Sequence, residues 1–227
     1  MRWLARRAAG REAERDALAG YFSPQVVETI LASQRDGLNP RARQVAVLDS
    51  DLVGFTGLAE TLSPERTAQV LGLYRSLVEA EVFGEDGAIL NWTGDGAVAV
   101  FGLTGAGETA AARALACARR LEAAWSADAR AMLGDAAPPL AVGLDFGEAF
   151  LGLVGKGGGV SLLMIGAPVQ GAARLQAATR EADSPVLVSV AAKASIELAD
   201  PAAGAALSRL VAAGHDAWKP QALPVPG

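Results

Sequence analysis

Three patterns in the sequence predict an α/β (α+β) fold with a ferredoxin-like βαββαβ core. An apolar run typical of a buried strand precedes a long amphipathic segment with helical spacing. Two short apolar runs then flank Gly94–Asp95–Gly96, as the strands of a hairpin do. A second helical segment and another strand complete the order strand, helix, hairpin, helix, strand. We expect a C-terminal extension after this core and a helical lead-in before it.

The lead-in is predicted over residues 1–40, and the main domain over residues 41–227. Ser23–Pro24 is a favourable helix start, and apolar residues follow it at helical spacing up to Leu31. We interpret the lead-in as a packing helix or a helix that faces a partner, with no chemistry of its own.

The elements of the main domain follow from its periodicity. Gly54–Phe55–Thr56 turns the first strand into helical sequence, and Ser63–Pro64 begins the amphipathic helix. One apolar stripe of that helix is predicted to comprise Val70, Leu73, Tyr74, Leu77 and Val78. A strand pair is predicted to turn at Gly147–Glu148, and the proline-rich end, 220–227, is expected to be an edge strand or a tail. The predicted strands cover 44–52, 88–93, 97–101, 140–146, 149–154, 160–165 and 185–189. The later helices are predicted over 108–125, from about 166 to 180, and over 191–198.

Composition excludes several classes of function. The 227 residues carry 20 Lys and Arg against 25 Asp and Glu, a net charge of −5 that argues against a nucleic-acid partner. The single cysteine, Cys117, favours a reducing compartment, and we expect a cytoplasmic protein, with membrane association only through a partner. One histidine, His215, leaves little scope for histidine-based zinc sites or Ser-His-Asp catalysis.

Two aspartates form the candidate metal site. Asp51 ends the first strand and Asp95 lies at the hairpin tip, so neighbouring strands would bring both to one edge of the sheet. Two carboxylates with phosphate oxygens and water suit Mg²⁺. The backbone N–H groups of Gly54, Phe55 and Thr56 would face an anion at a helix start. Taken singly, Asp51 could be a helix cap and Asp95 a turn residue.

Several ordered motifs resemble the class III nucleotidyl cyclases, the catalytic domains of adenylate and guanylate cyclases. Residues 47–56 are similar to that family's strand and Asp-x-x-Gly-Phe-Thr turn, and residues 93–102 to its metal hairpin. Residues 143–148 and 165–175 resemble its later strand and the helix beside the dimer interface. Residues 21–27 resemble a linker helix often found upstream.

The resemblance implies a head-to-tail homodimer that binds a nucleoside triphosphate, with each active site shared between two chains. Asp51, Asp95 and the backbone of Leu52 would hold two Mg²⁺ or Mn²⁺ ions. The partner's Arg174 would stabilise the transition state, although a surface salt bridge is the alternative reading of this residue. Attack of the ribose 3′-hydroxyl on the α-phosphorus would release pyrophosphate. The lead-in helix could recruit a sensor partner.

The sequence departs from the family pattern at several positions. Gln170 replaces the family's transition-state asparagine. The extra methylene of glutamine moves the side-chain amide by more than about 1 Å, and a misplacement of this size can cost on the order of 100-fold in rate. Asn91 and Leu163 occupy the base-selecting positions, where Leu163 has no hydrogen-bonding group, so adenine preference is weakened.

Two further residues could affect activity. Asp49 lies on the same face of the first strand as Asp51, and it could add a metal ligand, repel Asp51, or be a hydrogen-bonded or solvated aspartate. Lys219 lies near a position where a family lysine touches the triphosphate, with a tail lysine as the alternative.

These departures leave two functions open. The first is an active cyclase, most simply one that uses ATP. The second is a degenerate, cyclase-like nucleotide-binding or regulatory domain. Diguanylate synthesis is disfavoured, because the hairpin reads Gly94–Asp95–Gly96 in place of a Gly-Gly-Asp/Glu-Glu-Phe signature.

Overall fold

The computed structural model describes residues 41–103, 107–154, 161–182 and 184–202, with Arg15, Ala19, Val27 and Leu207. Most of the predicted lead-in, the tail 220–227 and Lys219 lie outside this part of the chain. Val27 has a helical backbone and is buried against the main domain. Among the described residues, no helix is both long enough and apolar enough to cross a membrane.

Six strands and five α-helices have their bounds within the described part of the chain. The strands are β1 Arg41–Leu52, β2 Ala88–Trp92, β3 Gly96–Phe101, β4 Leu140–Val154, β5 Ser161–Gly166 and β6 Val186–Val188. The helices are α1 Phe55–Thr61, α2 Pro64–Gly84, α3 Ala110–Leu133, α4 Ala167–Ala178 and α5 Val190–Ala199. Short 3₁₀ turns cover Gly107–Thr109 and Gly134–Ala136. The predicted mixed α/β fold is confirmed.

The strands form one sheet in the order β2-β3-β1-β4-β5, in which all neighbours are antiparallel, and β6 pairs in parallel with β4. Helices α2, α3 and α5 cover one face, where they form the larger apolar core around Tyr74, Leu121 and Trp125. Helix α4 covers the other face, over Val45 and Val47 of β1. Both faces of the sheet are therefore covered by helices. This explains why residues 45–48 of β1, whose side chains alternate between the two faces, are all buried.

Local sequence explains where α2 begins. Ser63 is its N-cap, and the Ser63 hydroxyl accepts a hydrogen bond from the backbone N–H of Arg66 at 3.3 Å. Pro64 occupies the first turn, where a missing N–H costs nothing. Val70, Tyr74 and Val78 then form the predicted buried stripe.

One predicted turn is wrong, and one helix is longer than predicted. Gly147–Glu148 lies inside β4, because β4 pairs with β1 without interruption from Leu140 to Leu151. At Gly147 an added Cβ would lie 3.2 Å from the ring of Pro168, so this glycine makes room for α4. Helix α3 continues to Leu133, eight residues past the predicted end.

Candidate active site

The sheet brings the two candidate metal aspartates together. Strands β1 and β3 are neighbours, and their register sets Asp51 opposite Gly96, the residue after Asp95. The backbone N–H of Leu52 donates a hydrogen bond to the carbonyl of Asp95 at 3.2 Å. The predicted side-by-side arrangement of these strands is confirmed, and it fixes the backbone around both acids.

Gly96 makes room for the Asp51 carboxylate. An added Cβ at Gly96 would lie 3.1 Å from Oδ1 of Asp51, 2.8 Å from the carbonyl of Ser50 and 2.5 Å from the hydroxyl of Thr93. A larger residue at position 96 would therefore displace the strand end that carries Asp51.

Burial and neighbouring charges act on the carboxyl groups of Asp49 and Asp51. Burial raises the pKa of Asp51, the negative charge of Asp95 raises it further, and Arg180 and the N–H of Leu52 oppose this. Burial and then the charge of Asp51 raise the pKa of Asp49 from 3.8 to about 6. Asp49 and Asp51 also lie on one face of β1, as strand alternation predicts. The site therefore concentrates negative charge, which favours a cation.

A buried hydrogen-bond network supports β1 on the face opposite Asp49 and Asp51. The hydroxyls of Ser50 and Tyr74 lie 2.8 Å apart, and the Tyr74 hydroxyl also donates to the carbonyl of Ser50 at 3.2 Å. The Ser50 hydroxyl reaches the carbonyl of Ala97 on β3 at 3.3 Å. Tyr74 is held by edge-to-face contacts with Trp92 and Trp125. This network ties β1 to β3 between Asp49 and Asp51.

The turn after Asp51 leads into a helix through a glycine, at the position predicted from the sequence. Gly54 adopts φ 76°, a left-handed conformation that favours glycine, and α1 begins at the next residue. Phe55 is buried and anchors the turn, whereas Gly54 and Thr56 are exposed. The backbone of this turn therefore faces solvent beside Asp51.

Gln170 and Arg174 are both exposed on α4. Arg174 lines a cavity of about 420 Å³ with Asp145, Ser189 and Val190, at the start of α5. Helix α4 lies against β4 at Gly143, where an added Cβ would come within 2.1 Å of the carbonyl of Ala172.

The two candidate base-contacting residues lie on strands that contact each other. Asn91 is exposed on β2, and Leu163 is 38% exposed on β5. The sheet curls so that β2 meets β5, with Leu90 and Met164 packed against the same apolar cluster. Lys219 lies outside the described residues, so its predicted contact is not placed.

The sequence analysis missed two features of this site. Nη2 of Arg180 lies 3.3 Å from Oδ2 of Asp51, across 129 positions of the chain. No local signal marks Arg180, because its role depends on where α4 ends on the sheet. The Ser50–Tyr74 contact was missed for the same reason, although Tyr74 was placed correctly on the buried face of α2.

The donor set suits a metal held together with a ligand. Within the described ranges, no group of three or more His, Cys, Asp or Glu side chains is arranged to hold a metal. Asp51 and Asp95 supply two hard oxygen donors, and Mg²⁺ often takes one or two carboxylates and completes its shell with phosphate and water oxygens.

The chain is similar in sequence to one curated adenylate cyclase. No family model matches the chain. Adenylate cyclase 1 of Rhizobium meliloti is 28% identical over 181 residues, which cover 77% of this chain and 27% of that relative. The chain thus spans about a quarter of that relative's length.

Two solved structures have similar folds. The guanylyl cyclase Cya2 matches with a TM-score of 0.56 and 27% identity, covering 61% of this chain and 71% of that one. The adenylyl cyclase CyaB from P. aeruginosa matches with a TM-score of 0.63 and 22% identity, covering 70% of this chain and 83% of that one.

Proposed function

Because the chain carries a class III nucleotidyl cyclase-like domain, we propose that it converts a nucleoside triphosphate, ATP above all, into a 3′,5′-cyclic nucleotide and pyrophosphate. The observation that carries this proposal is the convergence of Asp51 and Asp95. Their strands are paired in register, and the charge of Asp95 acts on Asp51. A cyclase needs such a concentration of carboxylates to hold cations beside a triphosphate.

Asp51, Asp95 and the carbonyl of Leu52 would hold two Mg²⁺ or Mn²⁺ ions. When bound, these ions acidify the ribose 3′-hydroxyl and neutralise charge on the phosphates. Gly96 and the Ser50–Tyr74 network hold the two strand ends in place, so the carboxylates are positioned before substrate arrives. The backbone N–H groups of Gly54, Phe55 and Thr56 would bind phosphate oxygens beside them.

The active site would be completed by a second copy of the chain. Arg174 lies on α4 and lines the cavity at the start of α5, whereas Arg180 follows the end of α4. In the dimer we place Arg174 at the partner's substrate. There it would stabilise charge on the transferring phosphorus, with Gln170 as a second hydrogen-bond donor.

An exposed apolar patch supports dimer formation. Phe150 is paired with Ile165 across β4 and β5, and Leu163 follows on the same face. These side chains are 44%, 61% and 38% exposed. Contiguous apolar surface of this kind marks protein contacts. Leu163 would lie at this contact and near the base, while Asn91 would supply the hydrogen bonds that read it.

The proposal is tested by analysing products after incubation of the chain with Mn²⁺ and each of ATP, GTP, CTP and UTP. We expect a cyclic nucleotide, most abundant from ATP. Asp51→Asn and Asp95→Asn should each lower the rate on the order of 100-fold or more, because each removes an electrostatic partner of the transition state. Asp128→Asn, at an exposed position on α3, is the matched control and should retain activity.

Absence of a cyclic product from all four triphosphates would contradict this function. If a non-hydrolysable ATP analogue still bound under those conditions, the chain would be a cyclase-like nucleotide-binding domain. Equal rates for wild type and Asp51→Asn would reject the assignment of the metal site.

A further inference from the structure

Arg180 forms an ion pair with Asp51, one of the two proposed metal-binding aspartates. Its guanidinium Nη2 is 3.3 Å from Oδ2 of Asp51. The Arg180 side chain is 52% exposed and that of Asp51 is 25% exposed, so the pair lies at the mouth of the site. A fixed cation therefore already contacts an oxygen that a divalent cation would need.

The fold determines the position of Arg180. Helix α4 ends in a tight turn, in which the backbone N–H of Thr179 donates to the carbonyls of Leu175 and Gln176 at 3.2 Å each. The Thr179 hydroxyl donates to the carbonyl of Gln176 at 2.7 Å, and the N–H of Arg180 to that of Ala177 at 3.4 Å. These bonds direct the chain after α4 toward the end of β1.

The ion pair offsets repulsion among the acids. Asp51 lies beside Asp95 on the neighbouring hairpin and shares a strand face with Asp49. A guanidinium at Asp51 reduces the net negative charge of this group. A divalent cation at the same carboxylate would repel the guanidinium, because two positive charges would then compete for one oxygen.

We propose that Arg180 is the internal counter-ion of the metal site, and that a divalent cation must displace it from Asp51 in order to bind. This inference rests on the proposed function, since it takes Asp51 as a metal ligand. Arg180 is a positioning residue: it offsets the negative charge at Asp51, and it lowers the affinity for metal in the absence of nucleotide.

Mn²⁺ binding to the nucleotide-free full chain tests the inference, with free Mn²⁺ measured by electron paramagnetic resonance. Arg180→Gln should bind Mn²⁺ about three- to fivefold more tightly than wild type, the range expected when a half-exposed ion pair no longer competes. Arg119→Gln removes the same charge from an exposed position on α3 and should bind as wild type does. Arg180→Lys keeps the charge without the planar guanidinium, so its Mn²⁺ affinity should lie between those of wild type and Arg180→Gln. High salt should reduce the difference in Mn²⁺ affinity between wild type and Arg180→Gln.

The outcomes separate this inference from the proposed function. Equal Mn²⁺ affinity in wild type and Arg180→Gln, with binding abolished by Asp51→Asn, would overturn the role of Arg180 and leave the metal site intact. Equal tightening by Arg119→Gln would also overturn it, since the effect would then be one of net charge. Absence of Mn²⁺ binding to every variant would overturn the metal site and the inference together.

Discussion

Asp49 lies two positions before Asp51 on the same face of β1, and burial together with the charge of Asp51 raises its pKa to about 6. The unfolded chain should titrate this carboxyl near 3.8. Between those two values the folded protein binds more protons than the unfolded chain does. The free energy of unfolding should therefore fall as pH rises from about 4 to 6.

Asp49→Asn should remove this contribution in the metal-free protein. At pH 7 the variant should be more stable than wild type by about 1–2 kcal/mol, a value discounted because the carboxyl is partly exposed. Urea unfolding with EDTA present, at several values between pH 4 and pH 7, measures the difference. A constant difference between wild type and variant across this range would contradict the pKa of Asp49.

Among single residues, the sequence predicts the placement of Asp51 and Asp95 but not that of Arg180, the ion-pair partner of Asp51. Asp51 and Asp95 could be paired from a strand end and a hairpin tip, because strand order then brings them together. Arg180 could not be predicted, since its contact with Asp51 depends on the turn that ends α4.

The packing of α4 against β4 positions Arg174 and Arg180. It is close at Gly143, where an added Cβ would lie 2.1 Å from the carbonyl of Ala172 and 2.3 Å from the backbone nitrogen of Gln176. Backbone atoms cannot yield as a flexible side chain would. A methyl group at this position must therefore push α4 away from the sheet.

Gly143→Ala should destabilise the protein by about 3 kcal/mol or more, at the upper end of overpacking effects. Gly72→Ala is the matched control, since an added Cβ at this helical position meets nothing within 4 Å outside the adjacent backbone of its own helix. Because alanine favours helix over glycine, this control should stabilise the protein by about 0.5–1 kcal/mol. Thermal or urea unfolding measures both, and equal effects of the two substitutions would refute the close packing of α4.

Helices and strands were predicted correctly where the spacing of apolar residues or the turn sequence was distinctive. The buried stripe of α2 and the hairpin around Asp95 were predicted correctly, because helical spacing and an Asp-Gly turn are local signals. The predicted turn at Gly147–Glu148 was wrong because glycine there serves packing against Pro168. A glycine that gives room to another element cannot be distinguished from a turn glycine by local sequence alone.

The whole molecule is proposed to act as a dimer whose two active sites are both shared. Asp95 of one chain and Arg174 of the other would serve one triphosphate. Each protomer then contributes once to each site, as a two-fold axis requires.

Mixing two inactive variants tests this arrangement. Asp95→Asn mixed with Arg174→Ala should recover about a quarter of wild-type activity, because half of the dimers are mixed and each has one intact site. Asp95→Asn mixed with Asp51→Asn is the control and should recover none, since both defects fall on metal sites. Cyclic nucleotide production after subunit exchange measures both. Failure to recover activity in the first mixture, with mixed dimers verified by mass, would contradict a shared site.

The central claim is that Asp51 and Asp95 jointly bind the cations on which cyclisation depends. Anomalous diffraction from crystals grown with Mn²⁺ and a non-hydrolysable ATP analogue tests it most directly. We predict manganese peaks within bonding distance of both carboxylates, with Arg180 moved away from Asp51. Manganese bound elsewhere, with Arg180 still paired to Asp51, would contradict the claim.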